Sequence, residues 1–214
     1  MKNSCNKDDI RKMVRERYAD VATGAQSGCG CSPSCCSAKA PSAKEQSAKL
    51  GYSKTELNAV PEGADMGLGC GNPQAIAGLK KLGEIEHLPV ADASVDVILS
   101  NCVINLSTDK EQVYREAFRV LKPGGRLAIS DVVAIKPVPK AVREDFDKHS
   151  GCVAGALQVR KLEGILQAAG FQNSRVIVKE QSKEFIKDWF PGSGIEHYVR
   201  SADVQGVKPK GNEE

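Results

Sequence analysis

The sequence predicts an α/β fold, a sheet whose strands are joined by crossover helices. Two observations carry that expectation. β-rich apolar runs at Val95–Leu99, Arg126–Val133 and Ser174–Lys179 alternate with two stripes of helical period, and such alternation is the mark of strand–helix–strand units. The punctuation between them is also in place, with Lys122-Pro123-Gly124-Gly125 ending one stripe and Gly170 ending the other. Taken in order, Asp8 is placed to cap a first helix with Ile10, Met13, Val14 and Tyr18 on one face. Residues 23–48 are rich in Gly, Ser, Ala, Lys and Cys without apolar period, which predicts a flexible segment. Ser53 and Glu56 form a capping-box pair for a short helix before Pro61. Three glycines in Gly67-Leu68-Gly69-Cys70-Gly71 predict a tight loop presenting Cys70. Thr108 and Glu111 pair as a cap for the helix carrying Val113, Ala117, Val120 and Leu121. Leu162, Ile165, Leu166 and Ala169 form the second stripe. Phe185, Ile186, Trp189 and Phe190 mark a short helical cap on the core, and Tyr198–Val207 a last strand.

Composition narrows the function. The 214 residues carry 30 Lys and Arg against 27 Asp and Glu, a formal charge of +3. Nucleic-acid binding through phosphates needs a clustered basic excess, which this balance does not supply. No apolar run approaches the roughly 20 residues of a membrane span, the best being Val97-Ile98-Leu99. Met1–Tyr18 is charged throughout and has no secretory apolar region, so the expected compartment is the cytoplasm. Thiols stay reduced there, and the 8 cysteines point to metal, redox or catalytic chemistry rather than a disulfide framework.

Five ordered motifs strongly resemble the arsenite methyltransferases. They are Gly67-Leu68-Gly69-Cys70-Gly71-Asn72-Pro73, Gly83-Glu84-Ile85-Glu86-His87-Leu88-Pro89, Ser100-Asn101-Cys102-Val103-Ile104-Asn105-Leu106, Leu121-Lys122-Pro123-Gly124-Gly125 and Gly151-Cys152-Val153-Ala154-Gly155-Ala156-Leu157. The proline-glycine-glycine element is common among methyltransferases, whereas the ordered set, with cysteine in three members, is specific. The resemblance runs from the first helix to about Lys210. It implies a class I methyltransferase-like, Rossmann-like sheet, S-adenosylmethionine as cofactor and arsenite as substrate. Soft thiolate ligands suit a soft centre, and only deprotonated sulfur binds it. The resemblance assigns Cys70 and Cys152 as the catalytic pair that holds arsenic. One of Cys29, Cys31, Cys35 and Cys36 would be the third thiol and deliver substrate. Ile85 and Glu86 would lie near the adenine, and Asn101 at the carboxyl end of its strand. No cysteine follows Cys152, so a further C-terminal thiol of the family has no counterpart. Oxidised thiols lose arsenic affinity, which calls for a reductant such as thioredoxin or glutathione.

One departure is larger. The family's strand, glycine-rich loop and helix, which cradle the cofactor, should fall between Leu79-Lys80-Lys81 and Leu82-Gly83-Glu84, and they are absent. A βαβ unit takes about 30 residues, so roughly fifty residues are missing. The expected sheet is therefore truncated by an internal deletion of its first strands, and Val95–Leu99 becomes an apolar edge that invites pairing with another chain. Cofactor binding is expected to be weak or absent, and the chain poorly folded or dimeric. The expected organisation is an N-terminal helix at 1–22, a flexible Cys-rich segment at 23–48, a partial methyltransferase domain at 49–135 and a C-terminal substrate-binding part at 136–210 that completes the sheet.

Plainer roles stand beside these. Cys152, between apolar neighbours, is of a kind that is often a small buried hydrophobe, and Cys102, ending a strand, is read as a core thiol. Cys29-x-Cys31 and Cys35-Cys36 lack zinc-site spacing and have no nearby His. His87, His149 and His197 are scattered and take no role. Two functions follow: an arsenite methyltransferase impaired in this shortened form, or a non-catalytic thiol protein that sequesters arsenite or other soft metals.

Overall fold

The computed structural model describes residues 53–59, 84–143 and 152–211, together with positions 8, 9, 12, 16, 45, 47 and 48. Cys70, its glycine loop and the cysteines of residues 1–36 lie outside the described residues. So do the apolar positions Ile10, Met13, Val14 and Tyr18. The regular elements, in chain order, are α1 (Lys54–Ala59), β1 (Val95–Asn101), α2 (Lys110–Val120), β2 (Leu121–Ala134), α3 (Lys140–Arg143), α4 (Val159–Ala168), β3 (Gln172–Lys179), α5 (Lys183–Ile186) and β4 (Val199–Val207).

The four strands form one mixed sheet in the order β1-β2-β4-β3. β1 and β2 run parallel with Asn101 opposite Ser130, and α2 makes the crossover between them. β2 and β4 pair antiparallel from Arg126↔Val207 to Ala134↔Val199, and β3 joins β4 antiparallel. Among the described residues β1 pairs with β2 alone, which leaves it at the edge of this sheet. The alternation expected of an α/β chain is present. β2 begins earlier than the sequence predicts, at Leu121 rather than Arg126, because Leu121 already pairs with Val95 before the register shifts.

α2 starts one residue later than its expected cap. Asp109, not Thr108, accepts the Gln112 amide at 3.1 Å. The Asp109 carboxylate sits at the position from which a side chain reaches the free amides of the first turn, and the Thr108 hydroxyl is buried without a partner among the described residues. At the other end Lys208, just past β4, reaches the end of α2. Its Nζ donates to the carbonyls of Phe118 (2.7 Å) and Leu121 (2.8 Å) and lies 4.7 Å from the Phe118 ring centre. A cation there satisfies carbonyls that the helix end leaves open. Gly170 ends α4 at φ +100°, pressed against the Phe118 ring, a conformation that only glycine takes easily.

One core lies between the sheet and the two long helices. It joins Val113, Tyr114 and Ala117 of α2, Leu162, Ile165 and Leu166 of α4, Leu127, Ile129 and Val133 of β2, and Ala202 and Val204 of β4. A second cluster gathers Cys102, Val132, Ala134, Cys152, Val153, Ile186, Ile195 and Val199, with Trp189 and Phe190 packed against it as expected. No helix among the described residues is long and apolar enough to cross a membrane. Leu166 is fully buried where α4 meets the sheet. Leu166→Ala is expected to destabilise the chain by about 3 kcal/mol, the usual cost of a buried leucine truncation, and urea unfolding of the two proteins measures it.

Candidate functional site

The site begins where β1 ends. The Cys102 amide continues the parallel ladder by donating to the Ser130 carbonyl at 2.9 Å. Cys102 then turns at φ +51° into the short 3-10 turn Ile104–Leu106. That turn carries Asn105, whose Nδ2 donates to Asp131 Oδ1 at 2.9 Å and to the Val132 carbonyl at 2.6 Å. Asp131 Oδ1 also accepts the Val132 amide at 2.7 Å, while Asp131 Oδ2 is buried with no hydrogen-bond partner among the described residues.

The third side chain arrives from a distant part of the chain. Cys152 sits at φ +64° in a turn over residues 152–155, and its thiol donates to the Cys102 carbonyl at 2.9 Å. Two features press this turn onto the sheet end. Ala134 donates its amide to the Leu157 carbonyl at 2.8 Å. Gly155 approaches Asn105 so closely that a Cβ at that position would overlap the Asn105 carbonyl oxygen outright. The outcome is a buried cluster in which Cys102 Sγ, an Asp131 carboxylate oxygen and Cys152 Sγ all lie within 4.8 Å of one another.

The electrostatics follow from burial. Loss of water pushes the Asp131 carboxyl up to about 6, against the pull of the Val132 and Asn105 amides, the Lys110 charge and the Ile104 amide. The Cys152 thiol is pushed well above its usual range, first by burial and then by Asp131, with Lys110 opposing. Lys110 is brought down to about 8 by its own burial, opposed chiefly by Asp131 and Cys152. Its Nζ donates to the Ser107 carbonyl at 2.8 Å. Burial also raises the Tyr114 phenol, and Asp131 adds to that. In such a dry pocket a neutral covalent bond to sulfur is favoured over a free thiolate, since an isolated buried charge is costly.

Cys102 is disulfide-bonded, and Cys152 is free. The partner of Cys102 therefore lies outside the described residues. Its sulfur is able to bind a metal or arsenic only after that bond is reduced. Of the sequence-predicted site residues, Cys152 is in the cluster and Cys70 is outside the described residues. Cys102 is buried, as its core reading requires, and it also lies against Cys152. Neither that contact nor the part of Asp131 follows from the motifs. The strand register accounts for Asp131 alone, since Asn101 faces Ser130 and the next residue of each strand is a neighbour; the Cys152 contact comes from a turn fifty residues away and has no local signal in the sequence.

Of the predicted cofactor residues, Asn101 ends β1 and Glu86 bonds Ser107, a few residues beyond that end. The turn Glu84–His87 closes on itself through the His87 amide and Glu84 carbonyl at 3.0 Å. Glu86 is buried, with Oε1 accepting from Ser107 Oγ at 2.6 Å and its carbonyl accepting from Gln112 Nε2 at 3.1 Å. Ile85 packs against the core, and Asn101 is half-buried as the last residue of β1. One residue earlier, Ser100 Oγ is buried without a partner among the described residues. A polar ligand at the carboxyl edge of a parallel strand pair is the usual arrangement of open α/β sheets. In chemistry the residues present suit the adenosine end of a nucleotide-like cofactor: an apolar side chain, an amide and a buried hydroxyl without a partner among the described residues.

Gly155→Ala is expected to lift the 152–157 turn from Asn105. The chain should keep its helical signal and lose about 1–3 kcal/mol of stability, as for other forced over-packing. Alkylation of Cys152 by iodoacetamide should become faster in the variant, as read by mass spectrometry of the labelled peptide.

A family model described as a methyltransferase domain matches residues 79–170. An arsenite methyltransferase of Halobacterium salinarum is 36% identical over 265 aligned positions that take in 94% of this chain and 67% of that protein. Those 265 positions against 214 residues leave at least 51 with no residue in this chain. The arsenite methyltransferase of Homo sapiens is 40% identical over 99 residues, covering 46% of this chain and 26% of its own length. Among solved structures, an arsenic(III) S-adenosylmethionine methyltransferase from Chlamydomonas reinhardtii is 32% identical, covers 62% of this chain and 44% of its own, and superposes with a TM-score of 0.46. The archaeal relation, carried along nearly the whole chain, places it in a family: this chain belongs to the arsenite methyltransferases, which are S-adenosylmethionine-dependent enzymes.

Proposed function

We propose that the chain takes trivalent arsenic onto buried thiols and methylates it. The observation that carries this reading is the convergence of Cys102, Asp131 and Cys152 within 4.8 Å at one end of the sheet. Arsenite exchanges its hydroxyl groups for sulfur. Each As–S bond that forms releases one water, made of the departing hydroxide and the thiol proton. The product is neutral, so it suits a pocket that raises the Cys152 thiol and the Asp131 carboxyl. S-adenosylmethionine, when bound, supplies a sulfonium methyl to the lone pair that three-coordinate arsenic retains. Ile85, Glu86 and Asn101 would hold its adenosine end. The protein's own contribution is to fix arsenic on rigid strand ends and keep water out, so alignment rather than a general base supplies the rate.

Cys70 is the further thiol of this reading, with one of Cys29, Cys31, Cys35 and Cys36 delivering substrate. Residues 1–22 and 23–48 then serve delivery, 49–135 the cofactor side and 136–210 the arsenic side. This reading needs the Cys102 disulfide opened before its sulfur takes part, and the cytoplasm, with thioredoxin or glutathione as reductant, is the setting proposed for that step. A second reading has its own support: at least 51 aligned positions have no counterpart here, and the stretch around Lys81-Leu82, where the resemblance expects the glycine-rich cradle, has no apolar-Asp-x-Gly-x-Gly-x-Gly pattern. A chain lacking that cradle sequesters arsenite without methylating it.

Reduced protein given arsenite and S-adenosylmethionine should yield methylated arsenic by chromatographic speciation, with Cys152→Ser lowering the yield by about a hundredfold or more. Arsenite binding without methylated product or cofactor heat in calorimetry selects the sequestering reading. Arsenite affinity unchanged in Cys152→Ser overturns both.

A further inference from the structure

β1 ends the sheet on one side and pairs with β2 alone among the described residues. The ladder fixes which of its backbone groups face outward. The Cys102 amide donates to the Ser130 carbonyl, and in a parallel pair alternate residues address a given neighbour. Ile98 and Ser100 therefore turn their amides and carbonyls to β2, as Cys102 does, and Val97 and Leu99 turn theirs to the open edge. The alternation is regular along β1, because the register shift falls in β2, which runs from Leu121 to Arg126 while β1 runs from Val95 to Val97. The side chains agree with an open edge: Val97, Ile98 and Leu99 are only half-buried, whereas Leu127 and Ile129 of the adjoining strand are buried. The opposite edge is different. β3 carries Arg175 and Lys179 and is broken by a register shift between Gln172 and Arg175, with Asn173 at φ +51°. Charges and bulges of that kind discourage strand addition, and a regular apolar edge invites it.

We propose that the occupant of the β1 edge is a second copy of this chain, whose own β1 pairs antiparallel with it about a two-fold axis at Ile98. The strand is self-complementary about that residue. It has 7 residues, of which Ile98 is the fourth, so this register alone pairs all of them. Val97 lies opposite the partner's Leu99, and symmetry repeats the pair. All four residues have their amides and carbonyls at the edge, so each pair exchanges two backbone hydrogen bonds, the source of affinity when a strand is added to a sheet. Ile98, packed against the core on the helix side, meets its own copy there, while Val97 and Leu99 cover one another on the other face. The only charge of the strand is Asp96, paired with Lys122 at 3.0 Å. It falls across from the partner's Ser100, whereas an axis moved to Asp96 would set two carboxylates face to face, which is destabilising. The pairing consumes both β1 edges and leaves only the two guarded β3 edges, so the assembly closes at two copies.

Sedimentation equilibrium of the reduced full chain, with a phosphine present to exclude intermolecular disulfides, tests this over a dilution series. A reversible equilibrium is expected between the 22.9 kDa chain and a species of twice that mass. Val97→Pro removes one edge amide from each copy and spares the β1–β2 ladder. Its dissociation constant is expected to rise about ten- to hundredfold, the worth of two hydrogen bonds, with the circular dichroism spectrum retained as the check of folding. Ile98→Cys reads the register without weakening the strand. Diamide oxidation is expected to link residue 98 of one copy to residue 98 of the other, identified by mass spectrometry of the digest, because directly opposed residues of such a pair lie about 4.5 Å apart at Cα. Asp96→Cys, which this register holds about 13 Å from its own copy, is expected to form no such link. A monomer at every concentration, polydisperse higher assemblies, a dimer left unweakened by folded Val97→Pro, or a link at residue 96 in place of residue 98 overturns the proposal.

Discussion

The parallel pairing of β1 with β2 is the constraint on which the site depends. It places Asn101 opposite Ser130 and lets the Cys102 amide add one more rung, to the Ser130 carbonyl. From that rung the chain must leave the sheet, and it does so through a left-handed Cys102. The turn that follows delivers Asn105 back onto Asp131. Remove the register and the cysteine, the amide and the carboxylate have no reason to meet. Two β-rich runs separated by an 11-residue helix are thus both the scaffold and the source of two of the three clustered side chains.

The third group, Cys152, is held by different means. Its turn is anchored by one backbone hydrogen bond from the end of β2 and by the close fit of Gly155 over Asn105. Asn105 is therefore a hinge between both halves of the site, since its side chain fixes Asp131 and its backbone receives Gly155. The two cysteines of the cluster are packed among apolar side chains, Val132, Val153 and Ile195 among them. Low polarity raises the cost of every free charge, and this suits ligands that bind sulfur as neutral covalent adducts.

The sheet and the helix stripes were legible in the sequence because periodicity and punctuation report which face is buried. Leu162, Ile165 and Leu166 read as a stripe and are buried as one. Cys152 was legible only through the ordered motifs of the family, since one cysteine between apolar neighbours carries little signal alone. Cys102 and Asp131 were not joined to it, because their meeting depends on parallel pairing and on a turn some fifty residues away. Pairing between distant segments leaves no local trace in one sequence. The cap of α2 shows the same limit at short range, since Thr108 and Asp109 are both able to cap and only the path of the turn decides between them.

Arsenic K-edge X-ray absorption on the reduced chain loaded with one equivalent of arsenite tests most directly whether these sulfur atoms share one centre. The account predicts a first shell with at least two sulfur neighbours, one fewer when Cys152 is replaced by Ser. An oxygen-only shell, or a sulfur count that does not change with that replacement, would contradict it.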